Sequence, residues 1–197
     1  MSWDAPHPVP LIAIQQLHSM VGVIRENAWL PPPALPPAIA DCNCVIATDS
    51  SEPSAAVCWQ NLRDYPLSSS SPQHTVSWWQ WPDKPLRHGM PTKEALAVLR
   101  GMELALEILP PAADPILWLV DCEPAYKAII KGHSSASHLN AIVERIRACP
   151  RHIRFVWIPT HLMPADGPSR RPGFAPPHSV AGHLLSLPLL FFLRTIH

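Results

Sequence analysis

Four acids in this chain stand where an acid can do chemistry. Asp49 closes CVIATDSS (44–51), which reads as a strand. Glu94 opens PTKEALAVLRGMELALEIL (91–109), which reads as a helix. Asp121 closes the apolar run PILWLVDC (115–122), and Asp166 falls in the turn of WIPTHLMPADGPSR (157–170). Taken singly, each is an ordinary cap or turn residue. Brought together they would repel and raise one another's pKa values. Divalent cations resolve that conflict. Hard carboxylate oxygens suit Mg²⁺ or Mn²⁺, which keep waters and accept phosphate oxygens as well. Two such ions about 4 Å apart can activate a water and stabilise a leaving oxygen in phosphodiester cleavage.

That chemistry needs elements that bring distant acids together. SAAVCWQNL (54–62) and TVSWWQW (75–81) read as second and third strands, forming an antiparallel meander with the first. In 91–109 the apolar residues at 95, 98/99, 102, 105/106 and 109 make one helical stripe, with Thr92 the expected N-cap and Glu94 in the first turn. The run 115–122 is apolar enough to be buried on both faces. EPAYKAIIKG (123–132) has Pro124 for a helix start and Gly132 for its exit. ASHLNAIVERIRAC (136–149) is a further amphipathic helix, and IRFVWIP (153–159) a fifth strand. The order β-β-β-α-β-α-α-β predicts an α+β fold: a five-stranded mixed sheet flanked by helices. If the first and fourth strands are central neighbours, Asp49 and Asp121 meet at one sheet edge. The start of the long helix and the loop after the fifth strand can close over that edge.

Composition bounds the rest. A chain of 197 residues can bury a sizeable core. Its 26 prolines gather in 31–37, 53–91 and 159–177, which therefore read as linkers and loops. Net charge is zero, so no global basic signature points to nucleic acid. Residues 122–171 nonetheless hold eight Lys or Arg against three acids, a local basic surface able to face phosphates or simply water. Five cysteines without a CxxC pair do not suggest a disulfide framework. Cys42 and Cys44, as CxC, are a weak metal signal beside the reading of buried thiols. No signal peptide is evident at the N-terminus, so an intracellular location, cytoplasmic or nuclear, is expected. LLSLPLLFFL (184–193) is too short to span a bilayer and reads as a docked or disordered tail, with no membrane partner. LIAIQQLHSMVGVI (11–24) has helical spacing and runs into a Pro-rich spacer at 29–39. Three segments follow: 1–40, helix and linker; 41–171, the domain with the acids; 172–197, a Pro-rich and apolar tail.

At these acids the chain resembles the ribonuclease H domain of reverse transcriptases, in the version carried by tyrosine-recombinase (DIRS-like) retroelements and hepadnavirus polymerases. The matching stretches are ATDSS with Asp49, PTKEALA with Glu94, LWLVDCEPAYKAIIKG with Asp121 and WIPTHLMPADGPSR with Asp166. They span 44–171, and the last is the most specific. The resemblance implies an RNase H-like fold, with Asp49, Glu94, Asp121 and Asp166 as ligands of two Mg²⁺ or Mn²⁺ ions. It also implies endonucleolytic cleavage of the RNA strand of an RNA/DNA hybrid, leaving 3′-hydroxyl and 5′-phosphate ends. The segment 1–40 looks like the connection that follows a polymerase, so a reverse transcriptase domain of a parent polyprotein is an expected partner. Met163 and Cys122 depart from the family pattern, which usually has Asn at the first and often Asn or Ser at the second; neither removes a proposed ligand.

Around the acids, Ser50, Thr92, His161, Ser169 and Arg170 are candidate nucleic-acid contacts, each weighed against an ordinary turn, cap or surface role. Trp78, Trp79 and Trp81 could stack on sugars or bases, with at least one expected under the helices. A different class of function is a catalytically inactive RNase H-like binding or scaffolding module. A 3′–5′ exonuclease of the same fold wants Asp-x-Glu on the first strand. Here Asp49 and Glu52 are one residue too far apart. Serine hydrolase, nucleoside-triphosphatase and dinucleotide-binding motifs do not occur.

Overall fold

The computed structural model describes residues 41–62, 74–81, 89–170, 185 and 187–195. The helix expected over 11–24, the spacer at 29–39 and the loop at 66–73 lie outside the described residues. Strands β1 (Cys44–Ser50), β2 (Ser54–Asn61), β3 (His74–Gln80), β4 (Ile116–Val120) and β5 (Ile153–Trp157) form one sheet in the order β3-β2-β1-β4-β5. The β1–β2 and β2–β3 pairs are antiparallel, whereas β1–β4 and β4–β5 are parallel. The helices are α1 (Met90–Ile108), α2 (Glu123–Lys131), α3 (Ser137–Arg147), α4 (Asp166–Arg170) and α5 (Leu187–Thr195). The order through β5 is the expected one, and the architecture is the RNase H-like mixed sheet.

Strict alternation in the central strands builds two cores, because side chains at i and i+2 share a face. Cys44 and Ile46 of β1, with Ile116, Trp118 and Val120 of β4, pack under α1, α2 and α3. Val45 and Ala47, with Leu117 and Leu119, face the other way. That second face is covered by Leu185 and by Leu189, Leu190 and Leu193 of α5. The apolar stretch near the C-terminus is therefore core material. A sheet buried on both faces needs an apolar layer on each side. The CxC pair is divided all the same: Cys42 precedes β1 and so lies outside its alternation, and it packs in the core opposite to that of Cys44. Burial pushes the Cys44 thiol up to about 12, as expected of a protonated core thiol.

Helix α1 begins earlier than expected. Gly89 is its N-cap, without a side-chain cap, and Pro91 follows at the start. Proline suits the first turn, where its missing N–H has no partner to lose. Thr92 is thus inside the helix and not its cap, and Glu94 lies beyond the first turn. Of the predicted stripe, 95, 98, 99, 102 and 105 are buried, and Leu109, at the C-cap, is half-buried. Helix α2 ends as expected at Gly132, in the left-handed region at φ 83°, with its N–H on the Ala128 carbonyl.

Gly101 permits α1 to lie close to the sheet. A Cβ there would stand 2.8 Å from Thr48 Cγ2 and 3.2 Å from Trp118 Cζ2. Thr48 is itself fixed by the Trp118 indole N–H, which donates to its hydroxyl at 3.0 Å. Gly101→Ala gains about 1 kcal/mol of helix propensity. Overpacking costs about 1–3 kcal/mol. The expected outcome is net destabilisation, measured as a lower urea midpoint with an unchanged m-value. Among the described residues no helix is long and apolar enough to cross a membrane.

Candidate metal centre

The β1–β4 register positions the first two acids. Ala47 pairs with Leu119, and two residues further along the parallel strands come Asp49 and Asp121. Both strands end at the same sheet edge. Helix α1 crosses that edge and delivers Glu94. The result is one group: ligand oxygens of Asp49, Glu94 and Asp121 all lie within 4.8 Å of one another.

Each carboxylate is held differently. One oxygen of Glu94, Oε1, accepts the Ser50 backbone N–H at 3.2 Å, tying α1 to the end of β1. The other, Oε2, is buried with no protein partner. Asp49 accepts a hydrogen bond at Oδ2 from the Ser169 hydroxyl of α4. The Asp121 backbone is fixed by the Trp157 indole N–H, which donates to its carbonyl at 2.9 Å.

Burial and mutual repulsion make the site hostile to its own charge. Burial, opposed by the Ser169 hydrogen bond and reinforced by Asp121 and Asp166, lifts the Asp49 carboxyl to about 7. Burial also lifts Glu94, to about 9, with Asp49 and Asp121 adding to the effect. Asp121 is raised too, first by burial, while a hydrogen bond from the Thr160 side chain pulls it back. Two buried carboxylates, one of them with an orphaned oxygen, and the half-buried Asp121 form the donor set a hard divalent cation needs.

Asp166 is the fourth acid of the expected quartet. It opens α4 and lies outside the group of three. Its Oδ1 is engaged by Arg170, with Nη2 at 2.7 Å and Nε at 2.8 Å. One turn of helix separates the two residues, so the ion pair forms within α4 itself. Asp166 nevertheless acts on the other acids through its field, raising Asp49, Glu94 and Asp121.

The expected nucleic-acid contacts divide sharply. His161 lies exposed on the turn Thr160–Leu162, and Arg170 is exposed on α4. Ser50, Thr92 and Ser169 are buried. Helix α1 starts upstream of Thr92, whose hydroxyl lies 3.0 Å from Nε2 of the exposed His138. Ser50 belongs to the strand, with its backbone on Glu94 and its hydroxyl unpartnered. Ser169 is turned toward Asp49 because α4 packs on β1 and β2. Much of the expected basic surface is also committed. Lys127 pairs with Glu123, Arg145 with Glu103 and Arg151 with Asp114, and Arg147 donates to the carbonyls of Ile129 and Ile130. Of the tryptophans, Trp79 packs against the core under the helices, Trp78 is 43% exposed, and Trp81 donates to the Ser51 carbonyl at 3.1 Å.

No protein-family model matches the sequence, and no curated protein matches it. Similar solved structures exist. RNase H1 from the halophilic archaeon Halobacterium salinarum NRC-1 is 16% identical, with 60% of this chain and 85% of that one covered and a TM-score of 0.41. The foamy viral protease-reverse transcriptase in complex with double-stranded DNA is 11% identical, with 78% and 30% covered and a TM-score of 0.44. The same viral protein in complex with an RNA/DNA hybrid is 15% identical, with 80% and 20% covered and a TM-score of 0.41. This chain thus spans less than a third of the viral protein's length.

Proposed function

We propose that this chain is a divalent-cation-dependent endoribonuclease that cleaves the RNA strand of RNA/DNA hybrids, derived from a retroelement reverse transcriptase. The observation that carries the reading is the convergence of Asp49, Glu94 and Asp121 from three separate elements to within 4.8 Å, with Glu94 Oε2 left unpartnered. Such a cluster is costly as bare charge and coherent as a ligand set for Mg²⁺ or Mn²⁺. Asp49 and Asp121 are the central ligands, Glu94 completes one ion and Asp166 the other. Bound there, two cations supply charge stabilisation to a phosphodiester and a more acidic water.

The chain's own residues do the positioning. Ser50 holds Glu94, Ser169 holds Asp49, and the Trp157 indole anchors the Asp121 backbone. Arg170 is exposed beside the site and suited to a backbone phosphate, with His161 on the neighbouring turn. Recognition of the hybrid by shape and 2′-hydroxyls fits a site without base-reading motifs. The retroelement origin rests on the motif stretches, above all WIPTHLMPADGPSR. On that reading 1–40 is the remnant of a polymerase connection, 41–171 is the RNase H-like domain and 172–197 its C-terminal extension. A reverse transcriptase domain is then the natural partner, and the setting is intracellular.

The test is incubation of a labelled RNA/DNA hybrid with Mg²⁺ or Mn²⁺, beside single-stranded RNA and duplex DNA. Cleavage confined to the RNA strand of the hybrid, and abolished by EDTA, is the expected result. Hybrid binding without cleavage under either metal would replace the nuclease reading with an inactive binding module.

A further inference from the structure

Ser169 is fully buried, in a short helix that ends at an exposed arginine. Its backbone and side chain point in two directions, and both are engaged. The Ser169 carbonyl accepts two hydroxyls from the other side of the β1–β2 turn, those of Ser51, at 2.7 Å, and Ser54. Ser51 is itself braced, since its carbonyl accepts the Trp81 indole N–H. The turn between the first two strands and helix α4 are therefore stapled together at a single residue.

The side chain does something else. Its hydroxyl has one hydrogen and two acceptors within reach: the Asp49 carboxylate, and the Asp166 carbonyl at 3.0 Å. A bond to an ionised carboxylate is stronger than one to a neutral carbonyl, so the hydrogen goes to Asp49. We propose that Ser169 is a positioning residue of the metal centre: stapled in place through its carbonyl, it donates to Asp49 Oδ2 and holds that carboxylate where it meets Glu94 and Asp121. The inference rests on the cation-site reading above and assigns to Ser169 a role in place of contact with nucleic acid. It also gives the Ser-Arg pair after the last acid a division of labour, with Ser169 turned inward to Asp49 and Arg170 outward.

The experiment compares wild type, Ser169→Ala, Ser169→Thr and Ser51→Ala. Mn²⁺ affinity is read from the cation-dependent rise in melting temperature, and folded stability from melting in EDTA. Ser169→Ala is expected to weaken Mn²⁺ binding about tenfold or more, the loss of one hydrogen bond to a charged group. Ser169→Thr, which keeps the hydroxyl, restores the affinity. Ser51→Ala removes a bond to the Ser169 carbonyl but leaves the donor to Asp49, so it lowers the EDTA melting temperature and keeps Mn²⁺ affinity near wild type. Equal weakening in Ser51→Ala and Ser169→Ala would reduce Ser169 to a structural staple and overturn the proposal. Wild-type Mn²⁺ affinity in Ser169→Ala would overturn it as well, leaving the metal centre intact. If wild type shows no saturable response to Mn²⁺, the cation-site reading itself fails.

Discussion

Asp121→Asn is expected to lower hybrid cleavage at least about a thousandfold while leaving the fold intact and the cation-free protein more stable at alkaline pH. The substitution is nearly isosteric. The backbone carbonyl that receives the Trp157 indole is unchanged, so the link between the end of β4 and β5 survives. What is lost is one of three carboxylates sharing a space of 4.8 Å. An amide oxygen is a far poorer ligand for a hard cation than a carboxylate. The same change removes a negative charge that raises Glu94, so the metal-free site is relieved rather than damaged. Loss of activity together with gained stability distinguishes a ligand from a structural acid, whose removal would lower both. Asp166→Asn makes the informative contrast. Asp166 is paired with Arg170 and stands outside the trio, so its loss should cost less activity, on the order of 10–100-fold, and release the arginine. Single-turnover cleavage and EDTA melting of both variants check this. Equal activity in Asp121→Asn and wild type would remove the nuclease assignment.

Much of this geometry was legible in the sequence, for reasons that can be named. Two apolar runs that each stop at an acid mark β1 and β4; from sequence their adjacency is a condition, and the parallel register that meets it brings Asp49 and Asp121 to one edge. The stripe of α1 and the Pro–Gly brackets of α2 are local signals, and they hold to within a residue or two. What the sequence hid depends on long-range contact. Ser169 carries the same residue type as any surface serine. Only the packing of α4 on the β1–β2 hairpin, across 120 positions, turns it toward Asp49. Thr92 had the pattern of a cap, but Pro91 starts the helix upstream and the threonine is swallowed by the turn. The basic run of 122–171 looked like one charged surface because sequence distance conceals partners such as Asp114 for Arg151 and Glu103 for Arg145. The C-terminal leucines were readable as apolar but not as the second core, since nothing local says which face of the sheet lacks cover.

In the absence of divalent cations, stability should fall as the pH rises from about 5 to 9, by on the order of 10 °C in melting temperature. The sign follows from the proton count. Folded, Asp49 titrates at about 7 and Glu94 at about 9. Unfolded, both return to around 4. Between those limits the folded chain binds more protons than the unfolded one, so each rise in pH favours unfolding. Below about pH 4 both states are protonated and the penalty vanishes; above about pH 9 it is fully present. A cation bound by the ionised trio works in the opposite sense, because it binds the folded carboxylates and competes with their protons. Melting in excess Mg²⁺ should therefore lose most of the alkaline decline, and the stabilisation by Mg²⁺ should grow with pH. Glu94→Gln tests the cause directly. It removes the most strongly raised carboxyl, and should make the EDTA profile shallower, leaving the part that Asp49 contributes, while blunting the Mg²⁺ response. An EDTA profile with the same slope in wild type and Glu94→Gln would mean that the Glu94 carboxyl does not contribute to the decline and does not carry the charge that makes a cation necessary.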